Sequence, residues 1–203
     1  MINKNLPLIL ASGSQSRLSL LNNAGFVIDR VLVVDIDESS FPNENPKRYA
    51  QRVAYSKLKT AISLIDNGFI ITADTTAVCG KHILHKTNDH NKLRDYWKLS
   101  SSKKVYIYTA VYCAKVIDKT ISVMKNTITT SYLRFKMLNK AELEHYLHSN
   151  EGCGKAGGHS ILGIASRYIK HMRGSHTNIV GLPMYETTEL LKQIGFDILG
   201  AKK

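Results

Sequence analysis

The chain has 203 residues, 43% of them apolar and 22% charged. This composition excludes a disordered, collagen-like or coiled-coil protein and fits one domain or two tightly joined lobes. The longest apolar runs fall far short of the roughly 20 residues that a membrane span needs. Lysine and arginine number 28 against 16 acidic residues, a net charge of +12. That surplus points to an anionic substrate or partner: a nucleotide, a nucleic acid or an anionic membrane surface.

The surplus is uneven, with 13 basic and 9 acidic residues in 1–100 and 15 and 7 in 101–203. Met1–Lys4 precedes only the short apolar run Leu6–Ala11, so no secretory leader is expected at this end. Cys79, Cys113 and Cys153 are odd in number and lack C-x-x-C spacing. They are expected to be reduced thiols in a cytosolic protein, neither a disulfide framework nor a zinc site.

Leu6–Ala11 reads as a first strand, and Ser12-Gly13-Ser14-Gln15-Ser16 as a turn into a helix that stops at Gly25. Ser14 or Ser16 is the expected N-cap. Val31–Val34 is a second strand, followed by the acidic loop Asp35-Ile36-Asp37-Glu38. Pro46 opens a helix over about 46–66, closed by Asn67-Gly68. Its Ala50, Ala54 and Ala61 share one face with Lys57, an odd place for a lysine. Phe69–Ala73 is a buried strand expected to end on Asp74-Thr75-Thr76. A helix follows at 89–99, then two long strands at Val105–Lys115 and Thr120–Lys136. Ala141–Leu147 is a helix, Gly152–Gly163 a glycine-rich loop, and Ser166–His171 a strand. Gly181-Leu182-Pro183 leads into a last helix, about 185–194, ended by Gly195. Alternating helices and strands, with a long antiparallel pair in the middle, predict an α/β fold with a mixed sheet.

Asp74 is the most informative position. At the carboxyl end of an apolar strand it stands where open α/β sheets bind ligands; alternatively, it forms an Asx turn or caps the next element. Asp35, Asp37 and Glu38 are oxygen donors suited to Mg²⁺, or a solvated loop. Lys57 is either a phosphate ligand on a rigid helix or a lysine snorkelling at the helix edge. The Ser12–Arg17 segment opens a helix, where an anion is welcome. Neither the P-loop nor the dinucleotide-binding glycine pattern is present. Glu142-x-x-His145-x-x-His148 and His82-x-x-His85 have metal-like spacing but read as solvated faces, and Tyr106 and Tyr108, after Lys103-Lys104, read as sheet packing.

Taken in order, these segments resemble the Maf family of nucleoside triphosphate pyrophosphatases, once known as septum-formation proteins. Leu10-Ala11-Ser12-x-Ser14-x-x-Arg17-x-x-Leu20-Leu21 is similar to the family's opening signature. Asp37-Glu38, Ala54-x-x-Lys57-x-x-x-Ala61, Ala73-Asp74-Thr75 and Lys86 follow. Thr109-Ala110-Val111, Lys155-Ala156-Gly157 and Gly181-Leu182-Pro183 complete the series over about residues 6–195. The resemblance implies a twisted mixed β-sheet flanked by helices, in two lobes around a central cleft, with the whole chain as one Maf-like domain. Inosine triphosphate pyrophosphatases share this architecture and cleave the same bond, but the Ala-Ser-x-Ser opening fits them less well.

The implied activity is hydrolysis of nucleoside triphosphates to the monophosphate and pyrophosphate with Mg²⁺ or Mn²⁺, in nucleotide-pool sanitation. Asp74 takes the place of the family's proposed proton acceptor. Ser12, Ser14, Arg17, Lys57, Lys86 and Lys155 are expected to bind phosphate, and Glu38, with Asp74, the metal. Gln15, Thr75 and Leu162 fall at specificity positions. A nucleoside triphosphate is the expected partner, with no membrane and no specific nucleic acid; homodimers are common in such families.

The chain departs from the family pattern at several of these places. Ser16 stands where a second arginine is usual, Thr72 for the glycine before Ala-Asp-Thr, and His85-Lys86-Thr87 for Gly-Lys-Pro. The histidine usual before the Thr-Ala-Val strand is absent, and Arg173 replaces an aspartate. His159 replaces the tyrosine of Lys-Ala-Gly-x-Tyr, and Leu162 replaces a polar residue expected to read the substrate. These departures motivate a second reading, a catalytically degenerate relative that binds nucleotide or a division partner. The net charge motivates a third, a basic nucleic-acid-binding protein.

Overall fold

A computed structural model describes residues 6–199; Met1–Lys4, on which the expectation of no leader partly rests, lie outside the described residues. The strands are β1 (Leu8–Leu10), β2 (Arg30–Val31), β3 (Gly68–Cys79), β4 (His82–Leu84), β5 (Lys104–Ile117), β6 (Thr120–Phe135) and β7 (Ile169–Arg173). The helices are α1 (Gln15–Asn23), α2 (Pro46–Ile62), α3 (His90–Ser100), α4 (Lys140–His148), α5 (His176–Val180) and α6 (Met184–Gln193). One seven-stranded mixed sheet runs β2-β1-β3-β5-β6-β7, with β4 also on β3. β1 pairs in parallel with β2 and β3, whereas β3/β4 and β6/β7 are antiparallel. No helix among the described residues is long and apolar enough to cross a membrane.

The chain forms two compact units. Among the described residues, the first holds 6–74, Thr109–Thr129 and 181–199; the second holds Thr75–Tyr108 and Thr130–Val180.

In the first unit, α2 starts where its sequence demands. Asn45 Oδ1 accepts the Lys47 and Arg48 amides at 3.0 and 3.4 Å, and Pro46 needs no partner at the first position. Leu58 and Ala61 of α2 pack on Ile9, Ile70, Ala114 and Val116. Ala50 and Ala54 pack on Ala110, so small side chains bring the helix close to the sheet. The closeness is visible where Thr72 Oγ1 on β3 donates to the Ala54 carbonyl at 3.0 Å. The other core of this unit joins Leu10, Ile71, Val111 and Cys113 to Leu21, Phe26 and the α6 residues Leu190 and Leu191. The β5–β6 hairpin turns through Asp118 and Lys119, both at positive φ (48° and 61°), as a two-residue hairpin requires.

In the second unit, Trp97 of α3, Tyr146 of α4 and Tyr168 pack with Val105, Ile107, Leu133 and Phe135. Asp89 caps α3, and a capping box between Asn139 and Glu142 opens α4.

Several boundaries differ from expectation. β3 does not end at Asp74 but continues through Thr75–Cys79, because Ala77 and Cys79 join the second unit's core and Ala77–Cys79 pairs with β4. Asp74 is therefore a mid-strand residue. α2 ends at Ile62, capped by Ser63, rather than near 66. β2 is only two residues long, and residues 164–168 form a 3₁₀ turn before β7. The short elements β4 and α5 had no signal in the pattern.

Candidate active site

Ser12, Ser14, Arg17, Glu38, Lys57 and Asp74 all belong to the first unit. Its core is a lysine between two carboxylates. Lys57 Nζ lies 3.0 Å from Asp74 Oδ1 and 2.7 Å from Glu38 Oε1. The Lys57 and Asp74 side chains are 7% and 3% exposed, and that of Glu38 is 37% exposed. Lys57 therefore does not snorkel, and Asp74 lies inside β3 rather than at a turn or a helix start. A lysine on the alanine face of α2 is tolerated because the facing strand presents an aspartate.

Arg17 contributes a second buried cation. Its Nε donates to the Gly181 carbonyl at 2.8 Å and its Nη1 to Ser12 Oγ at 3.0 Å. Burial pulls its pKa below the ordinary value, and the fields of Asp74 and Glu38 oppose that pull. Ser12 Oγ also accepts the Ser14 amide at 3.2 Å. Ser14 is the N-cap residue of α1, although its own side chain makes no capping bond. The positive end of a nine-residue helix thus opens beside Ser12, Ser14 and Arg17. Gln15 is the first helical residue and is exposed.

Replacing Arg17 by Lys removes the planar fork that serves Gly181 and Ser12 together. The variant is expected to lose about 1–3 kcal/mol of stability, read from the midpoint of urea unfolding, as buried acceptors lose charged donors.

The remaining expected residues belong to the second unit, where they are described by themselves. Thr75 follows Asp74 on β3 and is half-buried. Lys86 and Lys155 are exposed. Leu162 is 66% exposed in a turn. Glu142 serves α4 itself, accepting from the Asn139 amide and from Lys136, and no group of three or more His, Cys, Asp or Glu side chains able to hold a metal occurs among the described residues. Cys113 and Cys79 have thiol pKa values raised by burial, which makes them unreactive.

Sequence reasoning passed over Tyr49 and Arg52. Tyr49 Oη donates to the Glu38 carbonyl at 2.7 Å. Burial, followed by the fields of Asp74 and Glu38, raises its pKa to about 12, so it remains a donor. Both residues act on backbone carbonyls of a loop, which no spacing rule reveals.

Chemically, the site gathers two cations and two carboxylates around a helix N-terminus. Such a set can neutralise phosphate oxygens while keeping a buried base at hand. A family model described as Maf-like protein matches residues 7–194. The chain is 38% identical to a nucleoside triphosphate pyrophosphatase of Orientia tsutsugamushi (strain Boryong), covering 96% of this chain and 95% of that protein. It is 41% identical to a nucleoside triphosphate pyrophosphatase of Anaplasma phagocytophilum (strain HZ), over 91% of this chain and 93% of the other. It is 38% identical to a dTTP/UTP pyrophosphatase of Rhizobium johnstonii, over 94% of each.

Proposed function

The chain belongs to the Maf family, and on that premise we propose that it is a nucleoside triphosphate pyrophosphatase, hydrolysing its substrate to the monophosphate and pyrophosphate. The observation that carries the reading is the buried Lys57 cation held between Asp74 and Glu38. Cleaving a phosphoanhydride with water needs charge neutralisation and in-line positioning more than covalent chemistry. Lys57 and Arg17 supply fixed positive charge for phosphate oxygens. Ser12, Ser14 and the N-terminus of α1 bind a further oxygen. Lys86 and Lys155 are further phosphate ligands in this reading, and Gln15, Thr75 and Leu162 bear on the choice of base. Asp74 orients the attacking water and takes its proton as the α–β anhydride bond breaks.

The two cations of the site are matched by its two carboxylates, so a triphosphate needs additional positive charge. Glu38 and Asp74 fit a divalent ion. Both are hard oxygen donors, both already face one cation, and Mg²⁺ is commonly held by one or two carboxylates together with substrate phosphates. Glu38 and Asp74 would hold Mg²⁺ or Mn²⁺, which would supply further charge neutralisation for the phosphate chain.

The test is pyrophosphate release by the purified protein with Mg²⁺ or Mn²⁺, over standard and modified ribo- and deoxynucleoside triphosphates. Asp74→Asn is assayed in parallel. Release from any member of the panel is expected, with more than a tenfold loss in the variant and an unchanged circular dichroism spectrum. A variant retaining over about a tenth of the activity contradicts the base assignment. Silence across the panel from folded wild type leaves the nucleotide- or partner-binding reading instead.

A further inference from the structure

Glu38 sits on a segment that ought to wander. Residues 32–45, between β2 and α2, contain no helix or strand. Yet the Glu38 carboxylate reaches Lys57 at 2.7 Å, which requires its backbone to be held in place.

Two side chains of α2 gather this loop: Tyr49 Oη donates to the Glu38 carbonyl at 2.7 Å, and Arg52 ties the residues that follow it. Arg52 Nε and Nη2 grip the two oxygens of Glu44, each at 2.7 Å. Arg52 Nη2 also donates to the Ser39 carbonyl at 2.8 Å, one residue after Glu38. The guanidinium lies 4.1 Å from the centroid of the Phe41 ring. Glu44 in turn accepts the Phe41 amide at 3.0 Å, and Asp37 accepts the Ser39 amide at 2.8 Å. Arg52 thus ties Ser39, Phe41 and Glu44 to α2, the helix that carries Lys57 five residues further on. Only a planar, five-donor cation can serve a carboxylate, a carbonyl and a ring at once.

We propose that Arg52 is a positioning residue that fixes the Glu38 carboxylate beside Lys57, and so sets how tightly the site holds a divalent cation with its nucleotide. The proposal rests on the pyrophosphatase reading for its second half only. The arginine touches no reacting atom; it acts through the loop. A partner that orients a metal-binding carboxylate is typically worth 10–100-fold in metal affinity.

The experiment compares wild type with Arg52→Met, Arg52→Lys and Glu44→Gln, and with Lys59→Met on the exposed side of the same helix as a control. Two measurements are made. The first is amide hydrogen exchange over residues 37–44 in the metal-free protein. The second is titration with Mn²⁺ in the presence of an α,β-imido nucleoside triphosphate, alongside pyrophosphate release at varied Mn²⁺.

Arg52→Met is expected to speed exchange in 37–44 by tenfold or more while leaving β3 protected. It is also expected to raise the half-saturating Mn²⁺ about tenfold or more, with a smaller effect on kcat. Arg52→Lys does not rescue, because one ammonium cannot span Glu44 and Ser39. Glu44→Gln shows the same pattern in milder form, and Lys59→Met shows neither change. Unchanged exchange over 37–44 in Arg52→Met overturns the proposal, and so does unchanged half-saturation in a folded, active variant. An inactive wild type would instead sink the enzyme reading, and exchange alone would then decide whether Arg52 holds the Glu38 loop.

Discussion

Replacing Lys57 by Met will remove turnover and lower the unfolding free energy by about 3–5 kcal/mol, the usual cost of stripping one partner from a buried ion pair. Most of that cost lies in Asp74, whose side chain is 3% exposed and would lose its ammonium partner at 3.0 Å. Glu38, 37% exposed, can turn to water and suffers less. The double variant Lys57→Met/Asp74→Asn should recover much of the loss, because it removes the stranded charge as well as its partner. Urea unfolding of the four proteins closes the cycle, and a single-variant loss below about 1 kcal/mol would show that the pair is solvated in solution. Activity separates the two roles. Asp74→Asn is expected to fold and fail to turn over, whereas Lys57→Met is expected to be impaired in both respects.

The second large effect is acid sensitivity through His159. Both of its ring nitrogens are buried without a hydrogen-bond partner among the described residues. The ring stacks on Phe135 with centroids 4.6 Å apart and meets the edge of Trp97 at 4.6 Å. Burial pushes its pKa down from 6.5 to about 3. A folded-state pKa below the unfolded value means that the unfolded chain takes up the proton first. The stability that depends on the neutral ring is therefore complete above about pH 6.5 and is lost as pH falls toward about 3. The slope within that window is about 1.4 kcal/mol per pH unit. The His159→Phe variant keeps the packing and removes the two unsatisfied nitrogens, so it should be at least as stable at pH 7. The gap between the two proteins should then widen on acidification. Urea midpoints at pH 7, 6 and 5 measure it, and parallel curves for both proteins would refute the assignment. His159→Tyr restores the residue that the family resemblance leads one to expect there and should flatten the curve in the same way.

These two residues also mark what could and could not be read in the sequence. Lys57 was legible because periodicity placed it among Ala50, Ala54 and Ala61, where an apolar residue belongs. Pro46 and the two long strands β5 and β6 announced themselves through capping and composition. Asp74 was legible as a polar residue at the end of an apolar run, but its setting was misjudged. Aspartate disfavours strand interiors, so Asp74-Thr75-Thr76 looked like a stop. The Lys57 pairing and the core contacts of Ala77 and Cys79 override that local preference. The hold of Arg52 on Glu44 and Ser39 was invisible, since it depends on where a loop of irregular backbone returns to a helix. The cage around His159 was equally hidden, because Trp97, Phe135 and His159 are far apart in the chain and meet only when folded. β4 and α5, with three and five residues, are too short for any period to show.

The first unit draws residues from three separated stretches, and its core is completed by Leu182, Leu190 and Leu191. During synthesis, therefore, Asp74 and Lys57 leave the ribosome long before the surface that buries their neighbours exists. Arg17 waits for the carbonyl of Gly181, 164 positions later. At roughly 5–20 residues per second that wait lasts on the order of ten seconds or more, during which the core around Leu10 and Leu21 lacks Leu182, Leu190 and Leu191. Contacts of such long range also make folding slow for a chain of this size. A ribosome stalled before residue 181 would hold a nascent chain in which Glu38, Lys57 and Asp74 are all present, but Arg17 lacks its Gly181 acceptor and the core lacks Leu182, Leu190 and Leu191.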